Sequence, residues 1–411
     1  MKGFLLKSLV SFMLVTMLVS VVYAAPPTVV WSDPVGTNDI ALSRNGQYVV
    51  VASGNQVRYY GASSGTPLWI STTPSGDVIS VAISADGDCV VAGTSGNSPS
   101  PRGVVAGTSG AYVPVGDVVF WKNARTLTGN PAPTWSSVDL GGQINRRCLD
   151  ISDDGNYVVA CGTGEWVFYW ANTKGLSGSG KPTTWKSPQF PRVECVDLSS
   201  DGDYVTAGIW DGVPEGFSVA YWKNARTLAG NDLNPYWKSY SPDDIVVDIA
   251  ISDDGDYVAA ATGLTLSVHY WANAKSLTGT PDHTWYYGSG ISFNCIDMSS
   301  DGNAVTAGTG GVFLANVAPQ KGSASRAAVI AGGAVYFWSG AKGMTGKPQN
   351  PTWTYTTEGG IHDVAIDDTG SYIAADQNIA VPIGKVYFFN SGGSLLWSYS
   401  IDGADKVSMS G

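Results

Sequence analysis

The stretch CLDISDDGNYVVACGTGEWVFYWANTKGLSGSGKPTTW, residues 148–185, decides how this chain folds. It divides into four short segments of strand-forming residues. Residues 148–152 end at the turn Asp153-Asp154-Gly155, and residues 157–161 end at Gly162-Thr163-Gly164. Residues 166–170 are mostly aromatic, and a fourth segment centres on Trp185. Val, Tyr, Phe and Trp favour a pleated, half-buried surface. Asp followed by Gly favours a tight hairpin, because Asp bonds the turn backbone and Gly accepts a positive φ.

Variants of this stretch return along the chain. The turn recurs at Asn45-Gly46, Asp86-Gly87, Asp201-Gly202, Asp254-Gly255, Asp301-Gly302 and, more weakly, Thr369-Gly370. With Asp154-Gly155 that makes seven copies, 41 to 68 residues apart. A second strand follows each turn, usually opening on an aromatic: Tyr48, Tyr157, Tyr204, Tyr257 or Tyr372, with Cys89 and Ala304 in the other two. The third strand is aromatic in most units, as in Tyr336-Phe337-Trp338. The fourth carries Trp69, Trp135, Trp185, Trp237, Trp285, Trp353 or Trp397. Five units share a connector between third and fourth strands, at 123–129, 172–178, 224–230, 273–279 and 340–346. Asn (Gly in the last) opens it and Gly closes it, which predicts one helical turn with Asn as N-cap and an inward Leu or Met.

Four-strand units of this length are the signature of β-propeller blades, whose sheets bury their faces by packing radially on one another. The expectation is an all-β chain with seven complete blades from Asp39 to about Ile401. An orphan fourth strand at Trp31 and an orphan first strand at 406–410 remain. They add edges to seven blades or, if the chain is truncated, belong to an incomplete eighth. Two intervals are long because of insertions between second and third strands, at 94–116 and 311–333. Smaller ones fall at 209–216 and 376–384.

Segments such as VDIAISDDGDYVAAAT, residues 247–262, resemble the repeat of the WD40-like and YVTN propeller superfamily. Residues 60–69 and 390–397 resemble the repeat of PQQ-type propellers. The resemblance covers about 28–411 at the level of fold. The Gly-His and Trp-Asp pair of true WD40 repeats is absent, and Trp210-Asp211 lies in a loop. These superfamilies include enzymes, assembly factors and surface adhesion proteins, so the resemblance implies little about function.

Residues 1–24 read as a signal peptide: Lys2 and Lys7, an apolar run over 9–22, then small residues at Ala24. The run is short for a bilayer span, and nothing later is long and apolar enough to be one. The expectation is a single propeller domain over 25–411, secreted, periplasmic or at the cell surface. The net charge of −11 disfavours nucleic acid and anionic lipid, which need a basic footprint. Five cysteines and three histidines without metal-ligand spacing argue against a disulfide framework and a zinc site.

Catalytic motifs are absent, so no catalytic residue is named. The Asp-Gly turns read as hairpins rather than calcium loops. Asp150, Asp197 and Asp297 each follow a Cys by two residues on a first strand, so Cys and Asp share a face. If first strands line the axis, these acids are weak candidates for a channel cation site; the alternative is that they cap neighbouring backbone. Ca²⁺ and a quinone are the cofactors such a channel would invite. Exposed Trp and Tyr could stack on glycans but at this spacing read as core. The long insertions share a face with the inter-blade loops, which makes that face the candidate binding surface. Its candidate residues are Arg102, Arg146, Arg147, Trp210, Lys321 and Arg326. The preferred reading is an exported scaffold that binds a protein or glycan partner there, as a monomer or within a surface assembly. The alternatives are a quinoprotein- or lyase-type enzyme using channel carboxylates and a structural component of an envelope layer or filament.

Overall fold

A computed structural model describes residues 28–33, 35–73, 76–96, 116–138, 140, 142–162, 165–210, 218–240, 245–313, 330–378, 384–401 and 406–411. Each Asp-Gly turn closes a hairpin, and each hairpin extends through two more antiparallel strands. The result is seven sheets in which consecutive strands are neighbours. They span 39–72, 78–137, 144–186, 193–239, 246–288, 293–356 and 360–401, and are called blades 1 to 7. In blade 5 the strands are Val246–Ile251, Tyr257–Thr262, Ser267–Ala272 and Trp285–Gly288. The seven complete blades expected from the repeat are present. First strands pack on one another around a channel, and fourth strands lie outermost.

One rule joins the blades. The fourth-strand Trp of one blade donates its indole N–H to the connector of the next. Trp69 reaches the Ala124 carbonyl at 2.9 Å, Trp135 reaches Thr173 at 3.0 Å and Trp237 reaches Ala274 at 2.9 Å. Each indole also meets the third-strand aromatic of the next blade, as Trp185 meets Trp222 at 5.8 Å. Fully burying such a ring removes ~200 Å² from water, worth about 5 kcal/mol at ~25 cal/mol/Å². The Trp row is therefore core rather than a glycan platform.

The connectors are single 3₁₀ turns, such as Ala124–Thr126. Asn123 does not cap through its side chain. It takes the left-handed conformation at φ 57°, a conformation Asn tolerates better than most residues. The closing Gly also has a tertiary role: the Gly129 carbonyl accepts the Ile70 N–H of the preceding blade at 3.0 Å. In blade 3 the connector runs on as an extra strand, Gly178–Lys181, parallel to Trp135–Ser137 of blade 2.

The two chain ends share an eighth place between blades 7 and 1. Trp31 donates to the Ala62 carbonyl at 2.8 Å and stacks on Tyr60 at 5.0 Å, as a fourth-strand Trp does to its next blade. Residues 406–411 run beside the first strand of blade 1, with the Gly411 N–H on the Arg44 carbonyl at 3.0 Å. The signal-peptide reading of 1–24 lies outside the described residues. Among those described, no helix is long and apolar enough to cross a membrane.

Candidate functional site

The first strands bring charged residues of several blades together in the channel. At one end each first strand turns into its hairpin, and successive blades hydrogen-bond backbone to backbone. Asp153 N–H donates to Ser200 at 2.8 Å, Ser200 to Asp253 at 3.1 Å, Asp253 to Ser300 at 2.8 Å and Ser300 to Asp368 at 3.1 Å. Arg44 reaches inward from blade 1 and pairs with Asp153, Asp253 and Asp368 of blades 3, 5 and 7. Burial pulls its pKa down, but the Asp368 hydrogen bond and the Asp153 and Asp253 charges outweigh it and hold the guanidinium well above its usual range. Three carboxylates share one cation, and burial keeps Asp153 and Asp253 above the ordinary carboxylate value despite it.

Further in, the acids singled out from the sequence are clasps between blades. Asp150 accepts its own neighbour's N–H, from Ile151, at 2.8 Å and the N–H of Leu198 in blade 4 at 3.1 Å. Asp197 does the same for Leu198 and for Ile251 of blade 5, at 2.9 and 2.8 Å. Asp297 does it for Met298 and for Ile366 of blade 7, at 2.8 and 2.9 Å. Three of the four blades with Ala at that position carry the acid two residues earlier, and blade 2 has Ser80 there, which donates to Asp39. Asp39 takes Val81 N–H at 2.8 Å, Asp248 takes Ile296 at 2.9 Å and Asp363 takes Val407 at 3.2 Å. The clasp thus has two interchangeable positions on the first strand.

Burial raises these carboxyls: Asp150 and Asp248 to about 6, Asp297 to about 7, and Asp197 well above the ordinary range. Asp150, Asp197 and Asp297 already give both oxygens to backbone N–H groups. Among the described residues no group of three acids, histidines or cysteines is placed to hold a metal ion. The chamber they line is about 350 Å³, with Arg147 and Lys406 among its walls. Carboxylates committed to backbone N–H groups and a chamber flanked by fixed cations do not fit Ca²⁺.

At the other end the channel opens into a mouth of about 540 Å³. Arg147 sits near a register shift in blade 3, at φ 62°, and its side chain crosses the channel. It donates to the carbonyls of Asn294 at 2.6 Å and His362 at 2.9 Å and lies 3.4 Å from both Asp248 and Asp363. Arg147 is therefore a structural crosslink more than a free binding group. Arg146 beside it is exposed and makes no ion pair among the described residues. Arg192 pairs with Glu194 at 2.7 Å, with half its side chain in solvent. Trp210 is 39% exposed, and its N–H donates to the Arg192 carbonyl at 3.0 Å, which places it on the rim.

Both long insertions are rooted at this mouth. Gly116 donates to Gly142 at 2.9 Å and Gly333 to Gly359 at 2.8 Å, each just ahead of a first strand. A Cβ on Gly116 would fall 2.3 Å from the Thr94 carbonyl oxygen, so only Gly fits that root. Arg102, Lys321 and Arg326 lie outside the described residues. Sequence reasoning missed Arg192 and Glu194, whose only signal is their position at the start of a first strand, Val193–Leu198.

It also missed a buried polar chain in blade 5. His269 lies 2.8 Å from Ser267 Oγ and 3.2 Å from the His283 ring, which contacts Asp282. Period-two alternation puts Ser267 and His269 on one face, but the link to His283 is tertiary. His269 is 1% exposed, and burial lowers its pKa to about 3, so the imidazole is neutral and sealed from substrate. The five cysteines are buried and free, Cys148 and Cys161 included.

No protein-family model matches the chain, and no curated protein matches it. Solved structures do. The C-terminal WD40 domain of Sif2 aligns at 15% identity and a TM-score of 0.57, over 84% of this chain and 79% of that one. A chain of the mitotic checkpoint complex aligns at 14% identity and a TM-score of 0.57, over 91% and 96%. At such identity the likeness is one of fold: the chain is a WD40-like β-propeller.

Proposed function

We propose that the chain is an exported scaffold that captures a protein partner on the face around the channel mouth. The observation that carries this reading is the mouth itself. Arg146 and Arg192 stand exposed there, beside the roots of both long insertions, on a chain whose net charge is −11. Local positive charge on an acidic body steers an acidic segment of a partner to one place. Trp210 on the rim offers an aromatic anchor of the kind that dominates interface energies. WD40-like folds supply rigid support for such loops, and the N-terminal segment over 1–24 supports export.

Photo-crosslinking groups at 146 and 192 test it against the same groups at Asp86 and Asp301, exposed on the opposite turns. A discrete partner adduct from 146 and 192 alone is expected, and the double variant Arg146→Glu/Arg192→Glu should weaken capture at least tenfold. Equal adducts from both faces, or capture indifferent to charge reversal, would refute the reading.

A further inference from the structure

We propose that Cys148 and Cys161 form a disulfide that staples the first hairpin of blade 3 below the channel mouth. Leu149 pairs with Ala160 across this hairpin, so Cys148 and Cys161 face each other at the next step, where the ladder gives way to a register shift. Facing residues of antiparallel strands stand about 4.5–5.5 Å apart at Cα, within the roughly 4.4–6.8 Å that a disulfide spans. Both side chains are fully buried and belong to one apolar cluster.

The other blades show what is particular about this pair. Blades 4 and 6 carry Cys195 and Cys295 on the first strand, and each faces a glycine, Gly208 or Gly308. A Cβ on Gly208 would fall 2.4 Å from Cys195 Sγ, and one on Gly308 would fall 2.7 Å from Cys295 Sγ. The sulfur of a first-strand Cys therefore leans across the ladder into the space of the opposite side chain. Glycine leaves that space free in blades 4 and 6, whereas blade 3 puts a second sulfur there. Cys148 turns toward blade 4 accordingly. Its thiol donates to the Glu194 carbonyl at 3.2 Å, while Cys195 points at the Val246 carbonyl at 3.9 Å. The remaining blades set Asp39 against Ala52, Ser80 against Gly93, Asp248 against Ala261 and Asp363 against Asp376. Blade 3 alone of the seven sets Cys against Cys.

The bond forms by thiol–disulfide exchange with a small-molecule or protein disulfide. One Cys thiolate attacks the donor, giving a mixed disulfide and releasing one donor thiolate. The second Cys thiolate then displaces the other donor sulfur. The chain gives up two protons and two electrons, and the donor leaves as two thiols. In the folded blade neither sulfur reaches solvent, and burial, with the Cys148 thiol beside it, holds Cys161 well above the ordinary thiol range. Exchange therefore precedes closure of blade 3, and the finished bond is shielded from reductants. Oxidising compartments supply the donor, so the natural setting of the bond rests on the export reading, while its chemistry needs only the donor. The bond also anchors the strand beside Arg147, whose side chain crosses the mouth.

The full chain is produced in a bacterial cytosol held oxidising and, separately, in a reducing one, so that the test does not depend on secretion. Both batches are denatured in N-ethylmaleimide and digested with trypsin. Residues 148–174 hold both cysteines with no Lys or Arg before Lys174, and so leave as one peptide. In the oxidised batch that peptide should be unlabelled and should take up two labels after reduction; in the reduced batch it should carry two from the start. Cys89, Cys195 and Cys295 should be labelled in both. Dithiothreitol should leave the bond intact in the folded chain and cleave it in urea. Closing a loop of about 14 residues should favour folding of the oxidised batch by about a hundredfold, an advantage that Cys161→Ser removes. Full labelling of residues 148–174 in the oxidised batch, Cys148 joined to Cys195 instead, or a bond reduced at once in the folded chain overturns the proposal.

Discussion

Replacing Gly255 by Ala tests the rule that each hairpin turn rests on the preceding blade. Gly255 sits at φ +76°, and a Cβ there would fall 2.3 Å from both Cγ and Cδ2 of Tyr204. Left-handed backbone costs an L-residue about 1–2 kcal/mol relative to Gly. Relieving the overlap needs a shift of about 1 Å in a close-packed interface, which costs about 1–3 kcal/mol. The shift also pulls on the Gly255 carbonyl, which accepts the Tyr221 hydroxyl at 2.6 Å. The sum is about 2–5 kcal/mol. Gly279 is the control: its φ is +67°, and nothing lies within 4 Å of its Cβ position, so Gly279→Ala carries only the backbone cost. The difference between the two is the steric contact itself. Tyr204→Gly removes the ring and its Cβ, which would itself lie 2.7 Å from the new Cβ, so in that background Gly255→Ala should cost no more than Gly279→Ala. Urea denaturation of the variants, compared at a common m-value, gives the coupling directly. Equal costs for the two glycines, or a coupling below about 0.5 kcal/mol between Gly255 and Tyr204, would refute the reasoning.

Stability should also depend on pH in an unusual direction. Asp150, Asp248 and Asp297 have folded pKa values of about 6, 6 and 7 against an ordinary 3.8, so the folded state holds protons that the unfolded chain has released. Their contribution is complete below pH 3.8 and is lost as pH rises through 6 to 7. Asp86, Asp154, Asp254 and Asp301 of the turns are lowered, so their contribution is present above 3.8 and is lost only on stronger acidification. Calorimetric Tm should therefore be higher at pH 5 than at pH 8, and a Tm that rises steadily between them contradicts the assignment. Arg44→Met leaves Asp153, Asp253 and Asp368 facing one another without their cation. With the three carboxylates over a third exposed, it should cost about 1–3 kcal/mol at pH 8 and distinctly less at pH 4, measured by the same melts; a pH-independent loss would show that Arg44 acts by packing alone.

Most of the fold was legible because the repeat encodes it locally. Asp-Gly turns set the hairpins, aromatic third strands and single Trp residues set the blade faces, and seven copies set the count. The connector was legible as a turn but not in detail: Asn123 works through its backbone conformation, not its side chain. The clasps were half legible. Alternation put Cys148 and Asp150 on one face, yet the partner of Asp150 is an N–H of another blade, 48 residues away. A pair of that kind leaves no spacing in the sequence. What could be seen is that Asp appears either two or four residues ahead of the turn residue, as in Asp197 and Asp248. The mouth was least legible, since the position that holds Glu194 holds Arg147, Val247, Asn294 or His362 in other blades, and only the closed ring brings these residues to one opening.

The clasps also explain how the ring keeps its register between blades 7 and 1. A clasp needs a side-chain acceptor on one first strand and a backbone N–H on the next, and nothing from the second or third strand. Residues 406–411 can satisfy both ends of that requirement alone, through Val407 toward blade 7 and Ser408 toward blade 1. The outer rule is equally sparing: Trp31 needs only the Ala62 carbonyl and the Tyr60 ring. Inner and outer bonding are thus independent of the strands between them. Residues 406–411 and Trp31 thus carry the same bonding at the axis and at the rim between blades 7 and 1.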